Sequence, residues 1–103
     1  MSNIYKGTQT DSGNRVTRNG EPISPRLDLR DHSPTGMDWG YFGSGPAQLA
    51  LAILAAETDD ETALQHYQEF KRRVIGSLPL GNWTMTGEDI QAFLTKTRRH
   101  DAN

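Results

Sequence analysis

Trp39-Gly40-Tyr41-Phe42-Gly43-Ser44-Gly45-Pro46-Ala47-Gln48 leads directly into Leu49-Ala50-Leu51-Ala52-Ile53-Leu54-Ala55-Ala56. The second half of this stretch is apolar on every side of a helix, so a helix here has to be covered by the rest of the fold. Proline is favoured in the first turn of a helix, and glycine is tolerated as the N-cap. We therefore predict a central, buried helix over about 46–57, with Gly45 as N-cap and Gln48 closing half of a capping box.

Two further helices are predicted after this one. Thr58-Asp59-Asp60-Glu61 has the pattern of a capping box. An apolar stripe follows at helical spacing, and Gly76 is a natural residue just past the helix end. The stripe consists of Ala63, Tyr67, Phe70 and Val74. Thr86 is the expected N-cap of the third helix, whose buried side is Ile90, Phe93 and Leu94.

The N-terminal part has the pattern of a small sheet. Short strands are expected at 4–6 and 15–18, separated by a polar loop over 7–14, and Asn19-Gly20 is a strong hairpin signal. Pro22 and Pro25 restrict the returning strand to an edge or a brief stretch. Leu27 and Leu29 alternate with charged residues, which suggests an extended segment with one apolar side.

The predicted fold is α+β. The N-terminal hairpin, completed by a short strand at Trp83-Thr84-Met85, forms a small antiparallel sheet that packs against three helices. A length of 103 residues suits one domain over 1–103, with 1–3 and 98–103 frayed.

Composition argues against several classes of function. The absence of cysteine excludes disulfides, thiolate nucleophiles and Cys-based zinc sites, and it fits a cytoplasmic protein. A net charge of −2 without an evident basic face makes nucleic-acid binding unlikely. The longest apolar run, Leu49 to Ala56, is too short to cross a membrane.

The glycine-rich turn before the first helix is the sharpest candidate for a ligand site. Small residues and backbone N–H groups at a helix N-terminus favour a phosphate or another anion, and two aromatic residues could stack on a ring. The candidate residues are Trp39, Tyr41, Gly43, Ser44, Gly45 and Gln48. The spacing matches neither a Walker loop nor a dinucleotide fingerprint, and no nucleophile elbow is present. The alternative interpretation is structural: a tight turn next to aromatic residues that fill the core.

Other clusters have weaker patterns. Arg26, Asp28, Arg30, Asp31 and His32 supply acid–base residue types, with Ser33 or Ser44 as a nucleophile, but the favoured explanation is a solvated loop with mixed charges. His66 and Glu69 share a helix face without a second pair, so no metal and no cofactor are expected. Two basic triplets, 71–73 and 98–100, lie near predicted helix C-termini and suit the helix dipole, although together they could form a basic patch.

The stretch from Trp39 to Leu54 resembles the signature of a family of small uncharacterised proteins, a domain of unknown function found in bacterial, archaeal, phage and plasmid genomes. Residues 67–71 and 83–86 fit the same pattern, so the resemblance covers most of the chain after Leu27. It implies a mobile-element setting in which small proteins bind and inhibit a host factor, and it brings no catalytic residue.

Three functions are therefore considered. The leading expectation is a non-enzymatic protein of a phage or mobile element that binds and modulates or inhibits a host protein, with defence proteins among the candidate partners. The second is a small-ligand binder at the Gly43–Pro46 turn, and the third is an enzyme centred on His32. A homodimer packed through the Ala-rich helix is also compatible with the sequence.

Overall fold

The protein is described here from a computed structural model. Residues 2–34 and 36–101, with side chains up to Thr97, are described; they form a four-stranded antiparallel sheet, three α-helices and one short 3-10 helix. The elements are β1 (Ile4–Thr10), β2 (Gly13–Arg18), β3 (Glu21–Pro22), α1 (Ser44–Glu57), α2 (Asp60–Arg73), the 3-10 helix (Ile75–Ser77), β4 (Trp83–Thr86) and α3 (Gly87–Asp101). The predicted α+β fold is confirmed.

The sheet has the strand order β3-β2-β1-β4. β4 pairs antiparallel with β1 in the register Tyr5↔Met85, so the predicted strand at Trp83 does complete the sheet. The predicted loop over 7–14 is wrong, because β1 continues to Thr10 and pairs with β2 down to Thr10↔Gly13. This outer half of the hairpin is mostly exposed, so it lacks the apolar alternation by which a sequence reveals a strand.

The Asn19-Gly20 turn connects β2 to β3 as predicted. Both residues have positive φ, +52° and +87°, as a type I′ turn requires. Pro22 lies on β3, a two-residue edge strand, which confirms the restriction expected from the prolines.

The first helix is central and buried, as predicted. α1 is buried continuously from Gly45 to Leu54, and it packs against the sheet residues Tyr5, Val16, Trp83 and Met85 as part of one core. The helix begins at Ser44, and its N-cap is Gly43 rather than Gly45. Because the chain itself covers α1, a homodimer would have to use another surface.

α2 packs mainly against α1, and α3 packs against β4 and α1. The stripe of α2 faces inward, with Ala63, Tyr67 and Phe70 buried. Its N-cap is Asp59, whose side chain accepts from the Thr62 N–H at 2.7 Å. Thr58, the first residue of the predicted capping box, instead donates its hydroxyl to the Leu54 carbonyl at the end of α1.

The end of α2 differs from the prediction. The C-cap is Val74, and Gly76 lies inside the 3-10 helix without the positive φ of a C′ glycine. The start of α3 is as predicted: the Asp89 N–H donates to Thr86 Oγ1 and the Thr86 N–H donates to Asp89 Oδ2. Its expected buried residues, Ile90, Phe93 and Leu94, belong to the core.

The described residues of the next segment, 23–34 and 36–38, cross the surface without regular strands. The predicted extended stretch around Leu27 is wrong: residues 27–29 form a turn, and Arg26 before them has a φ of +55°. Leu27 is therefore more than a third exposed, while Leu29 packs against the core. Among the described helices, none combines the length and apolar character needed to span a membrane.

Candidate functional site

Gln48 holds the surface segment before α1 in place. Its side chain is fully buried, and its Oε1 accepts from the backbone N–H groups of His32 and Ser33 at 2.8 and 3.2 Å. Its Nε2 donates to the carbonyls of Pro25 and Arg30 at 2.5 and 3.0 Å. The amide thus uses its full hydrogen-bonding capacity on another part of the chain. The predicted capping box is wrong for this reason, and α1 has no side-chain N-cap bond.

The N-terminus of α1 faces a carboxylate of the same chain. A Cβ placed on Gly45 would lie 2.8 Å from the Asp38 Cβ and 3.1 Å from the Tyr41 hydroxyl, so only glycine leaves room for both residues. Asp38 Oδ2 accepts from the Tyr41 hydroxyl at 3.1 Å, and its Oδ1 accepts from Asn14 Nδ2 at 2.9 Å. Partial burial, followed by the hydrogen bond to Asp38, raises the pKa of Tyr41. A carboxylate close to a helix N-terminus complements the dipole and disfavours a second anion.

The two aromatic residues proposed to stack on a ligand have different surroundings. Trp39 is buried, donates its indole N–H to the Gly81 carbonyl at 2.9 Å and packs edge-on against Trp83 with ring centroids 5.6 Å apart. Tyr41 is 45% exposed. Gly43 and Ser44 lie next to Tyr41 at the start of α1, with the Ser44 side chain exposed. The turn residues are therefore close together, whereas Trp39 belongs to the core.

A surface that the sequence did not indicate lies beside this turn. Phe42 is 65% exposed and Leu80 is 67% exposed, whereas the structural interpretation of the turn expected its neighbouring aromatic residues to fill the core. Only Trp39 does so completely. Together with Tyr41, these residues form what is called here the exposed apolar surface.

Glycine backbone supports the exposed apolar surface. A Cβ on Gly76 would lie 2.5 Å from the Phe42 ring, and a Cβ on Gly40 would lie 2.7 Å from Leu80 Cδ2. Gly40 has a φ of +82°, and its N–H donates to the Ile75 carbonyl at 3.0 Å, which joins the two loops that carry these side chains. The glycines thus let Phe42 and Leu80 lie flat on the backbone while their other sides stay open to solvent.

The acid–base cluster proposed around His32 is dispersed. His32 Nε2 is 2.7 Å from the Tyr67 hydroxyl, and the Ser33 hydroxyl donates to the Gly36 carbonyl at 2.5 Å. Arg26 forms ion pairs with Asp28 and with Asp60, and its guanidinium lowers the pKa of Asp28. Within the described residues, neither Ser33 nor Ser44 forms a hydrogen bond with the His32 ring.

Sequence comparison shows the family of the chain, and it is a family of unknown function, as the resemblance implied. A model of a family of unknown function, DUF6166, matches residues 5–96. The chain belongs to the DUF6166 family. No curated protein and no solved structure matched the chain.

A cavity of about 760 Å³ lies between α2 and α3 of this DUF6166 chain. Its lining includes Arg72, Arg73 and Lys96 around Glu69, with His66 and Phe93 beneath. Glu69 accepts from both arginines, and these bonds lower its pKa. The side chains of the second basic triplet, 98–100, and with them the predicted patch between the two triplets, lie outside the described residues.

Metal binding was a minor candidate at His66 and Glu69. Both residues line the cavity of this DUF6166 chain. Across the described residues, no group of three or more His, Cys, Asp or Glu side chains is placed to hold a metal ion.

Proposed function

We propose that this DUF6166 protein is a non-enzymatic binding protein that contacts a partner protein through the exposed apolar surface. The observation that carries the proposal is the exposure of Phe42 and Leu80, each about two-thirds open to solvent. Large apolar side chains that lie together on a small domain are typical of interaction sites, and aromatic residues supply much of the binding energy in such sites.

The preorganised position of these side chains supports the same proposal. Phe42 packs flat on Gly76 and Leu80 packs on Gly40, so binding freezes fewer rotamers than it would for freely moving side chains. Tyr41 adds a hydroxyl at the rim, where it donates to Asp38. An apolar centre with a polar edge is the usual composition of a protein interface.

The partner we propose is a host protein whose activity is modulated or inhibited by this domain. That part of the proposal follows from the resemblance to accessory proteins of phages and mobile elements. The proposal also keeps the cytoplasmic setting that the cysteine-free sequence predicts.

The two alternative functions have less support. A phosphate at the Gly43–Pro46 turn would approach the side chain of Asp38, which packs against Gly45 and carries a negative charge that disfavours a second anion. An enzyme centred on His32 would need a partner that activates it, and the described contact of its ring is with Tyr67.

Quantitative affinity purification tests the proposal. The tagged wild-type chain, the Phe42→Ser/Leu80→Ser variant and the control Leu27→Ser are each incubated with host lysate, and retained proteins are measured by mass spectrometry. Leu27 is a suitable control because it is also an exposed leucine, but it lies in the turn over 27–29.

A specific partner should be retained by the wild type and the control and lost by the double variant. Retention of the same proteins by all three chains would contradict the proposal. So would conversion of a wild-type dimer to a monomer by the double variant in analytical ultracentrifugation, because the surface would then be covered by a second copy.

A further inference from the structure

We propose that the groove between α2 and α3 is a second binding site that takes a short acidic peptide segment with one apolar side chain. The groove has the size of sites that hold small ligands or a few residues of peptide, about 760 Å³. The proposal goes beyond the exposed apolar surface and uses none of its residues.

The positive charge of the groove favours an acidic ligand. Arg72, Arg73 and Lys96 line the groove with one carboxylate, Glu69, on a chain whose net charge is −2. The groove therefore has a local excess of positive charge that a segment with two carboxylates would balance. An extended nucleic acid needs a longer basic track, and it would meet the carboxylate in the groove and the negative charge of the chain.

Glu69 holds the two arginines in position and leaves some of their N–H donors available for a ligand. Glu69 accepts from Arg72 Nη2 and from Arg73 Nε, and both arginine side chains remain at least 60% exposed. A guanidinium has five N–H donors, so each retains donors for an incoming carboxylate. Fixing the side chains in advance reduces the entropy lost when a ligand binds.

The base of the groove supplies two different contacts. His66 is 7% exposed and lines the cavity, and within the described part of the chain no residue forms a hydrogen bond with its ring. The buried polar atoms that lack a partner among the described residues do not include the His66 ring nitrogens, so these atoms are open to the cavity and can form a hydrogen bond with a ligand there. Phe93 also lines the cavity and offers an apolar contact to a neighbouring side chain of the peptide.

Fluorescence anisotropy with designed peptides tests the proposal on the full chain. The probe is a labelled peptide with a central leucine flanked by glutamates, and the matched peptide carries glutamine in place of every glutamate. We expect saturable binding of the acidic peptide, at least tenfold weaker binding of the neutral one, and weaker binding as salt increases.

Three variants locate the site. Arg72→Gln/Arg73→Gln should weaken the acidic peptide at least tenfold, and His66→Phe, which retains a ring but no N–H, should weaken it severalfold. Lys6→Gln removes an exposed cation from β1 and should leave binding within about twofold of wild type. Circular dichroism checks that each variant is folded.

The proposal would be overturned if the acidic peptide did not bind at millimolar concentration, or if the neutral peptide bound equally well. It would also be overturned if Lys6→Gln weakened binding as much as Arg72→Gln/Arg73→Gln does, or if a labelled single-stranded oligonucleotide of the same net charge bound more tightly than the peptide. The outcome is independent of the lysate experiment, because the two surfaces share no residue.

Discussion

The Tyr5 hydroxyl donates a 2.8 Å hydrogen bond to Glu57 Oε1, which links the first strand to the last residue of α1. Asn3 Nδ2 donates to the same oxygen at 3.1 Å, and Arg18 Nε donates to the Tyr5 hydroxyl at 3.2 Å. Tyr5 is fully buried, so its ring belongs to the core while its hydroxyl is part of a polar network at the edge of the core.

Stability should fall in alkaline solution because of Tyr5. Burial, followed by the hydrogen bond to Glu57, raises the pKa of Tyr5 well above its ordinary value of 10.0. The unfolded chain therefore loses this proton near pH 10 while the folded chain retains it. The contribution of this pKa shift to the free energy of unfolding is fully present below pH 10. Above pH 10 the free energy of unfolding falls by at most about 1.4 kcal/mol per pH unit.

Urea unfolding between pH 8 and pH 11.5 measures this effect. Tyr5→Phe removes the titrating group, so its stability should be lower at pH 8, by about 1 kcal/mol, but should decline less steeply above pH 10. Parallel decline of the two proteins would assign the alkaline loss to other groups.

Replacing Gln48 should release the segment over 25–33. Gln48→Leu keeps a buried side chain of similar length but leaves two N–H groups and two carbonyls without their partner. We expect a loss of about 1–3 kcal/mol, because the four groups are partly buried and bond to water once the segment is released.

Limited trypsin digestion reports on the same variant, because the segment contains Arg26 and Arg30. Cleavage after these residues should be faster in Gln48→Leu than in the wild type, whereas Gln91→Leu, at an exposed position of α3, should be cleaved like the wild type. Unchanged cleavage would mean that other contacts hold the segment.

The role of Gln48 marks the boundary of what the sequence can predict. Asn19-Gly20 and the Thr86 cap are set by residues within three positions of one another, and both were predicted correctly. The partners of Gln48 are backbone groups 15–23 residues away, and backbone groups leave no pattern in a sequence.

The exposed apolar surface was not predictable from the sequence for a similar reason. Phe42 and Leu80 have the hydropathy of core residues, and their exposure depends on how two distant loops meet. Gly76 was predicted as a helix C′ residue, yet it lies in the 3-10 helix and makes room for the Phe42 ring. A glycine kept for close approach looks the same in a sequence as one kept for its conformation.

Gly76→Ala should destabilise the protein by displacing Phe42. The added Cβ would lie 2.5 Å from the ring and 3.2 Å from the Lys71 carbonyl, so the aromatic side chain has to move. Overpacking of this kind costs about 1–3 kcal/mol, and the exposed ring places the cost at the lower end. Gly81→Ala is the control, because an added Cβ there meets nothing within 4 Å. Equal thermal stability of the two variants would contradict the close packing of Phe42 on Gly76.

The two core tryptophans should respond differently to the same substitution. Trp39 and Trp83 are both buried and pack against each other, so Trp→Phe removes the same atoms from the same cluster. Trp39 donates its indole N–H to the Gly81 carbonyl, whereas the buried indole N–H of Trp83 has no acceptor among the described residues. Trp39→Phe therefore loses a hydrogen bond, and Trp83→Phe removes an unpaired buried donor. We expect Trp39→Phe to be the more destabilising by about 1 kcal/mol in urea unfolding. A larger loss in Trp83→Phe than in Trp39→Phe would contradict the prediction.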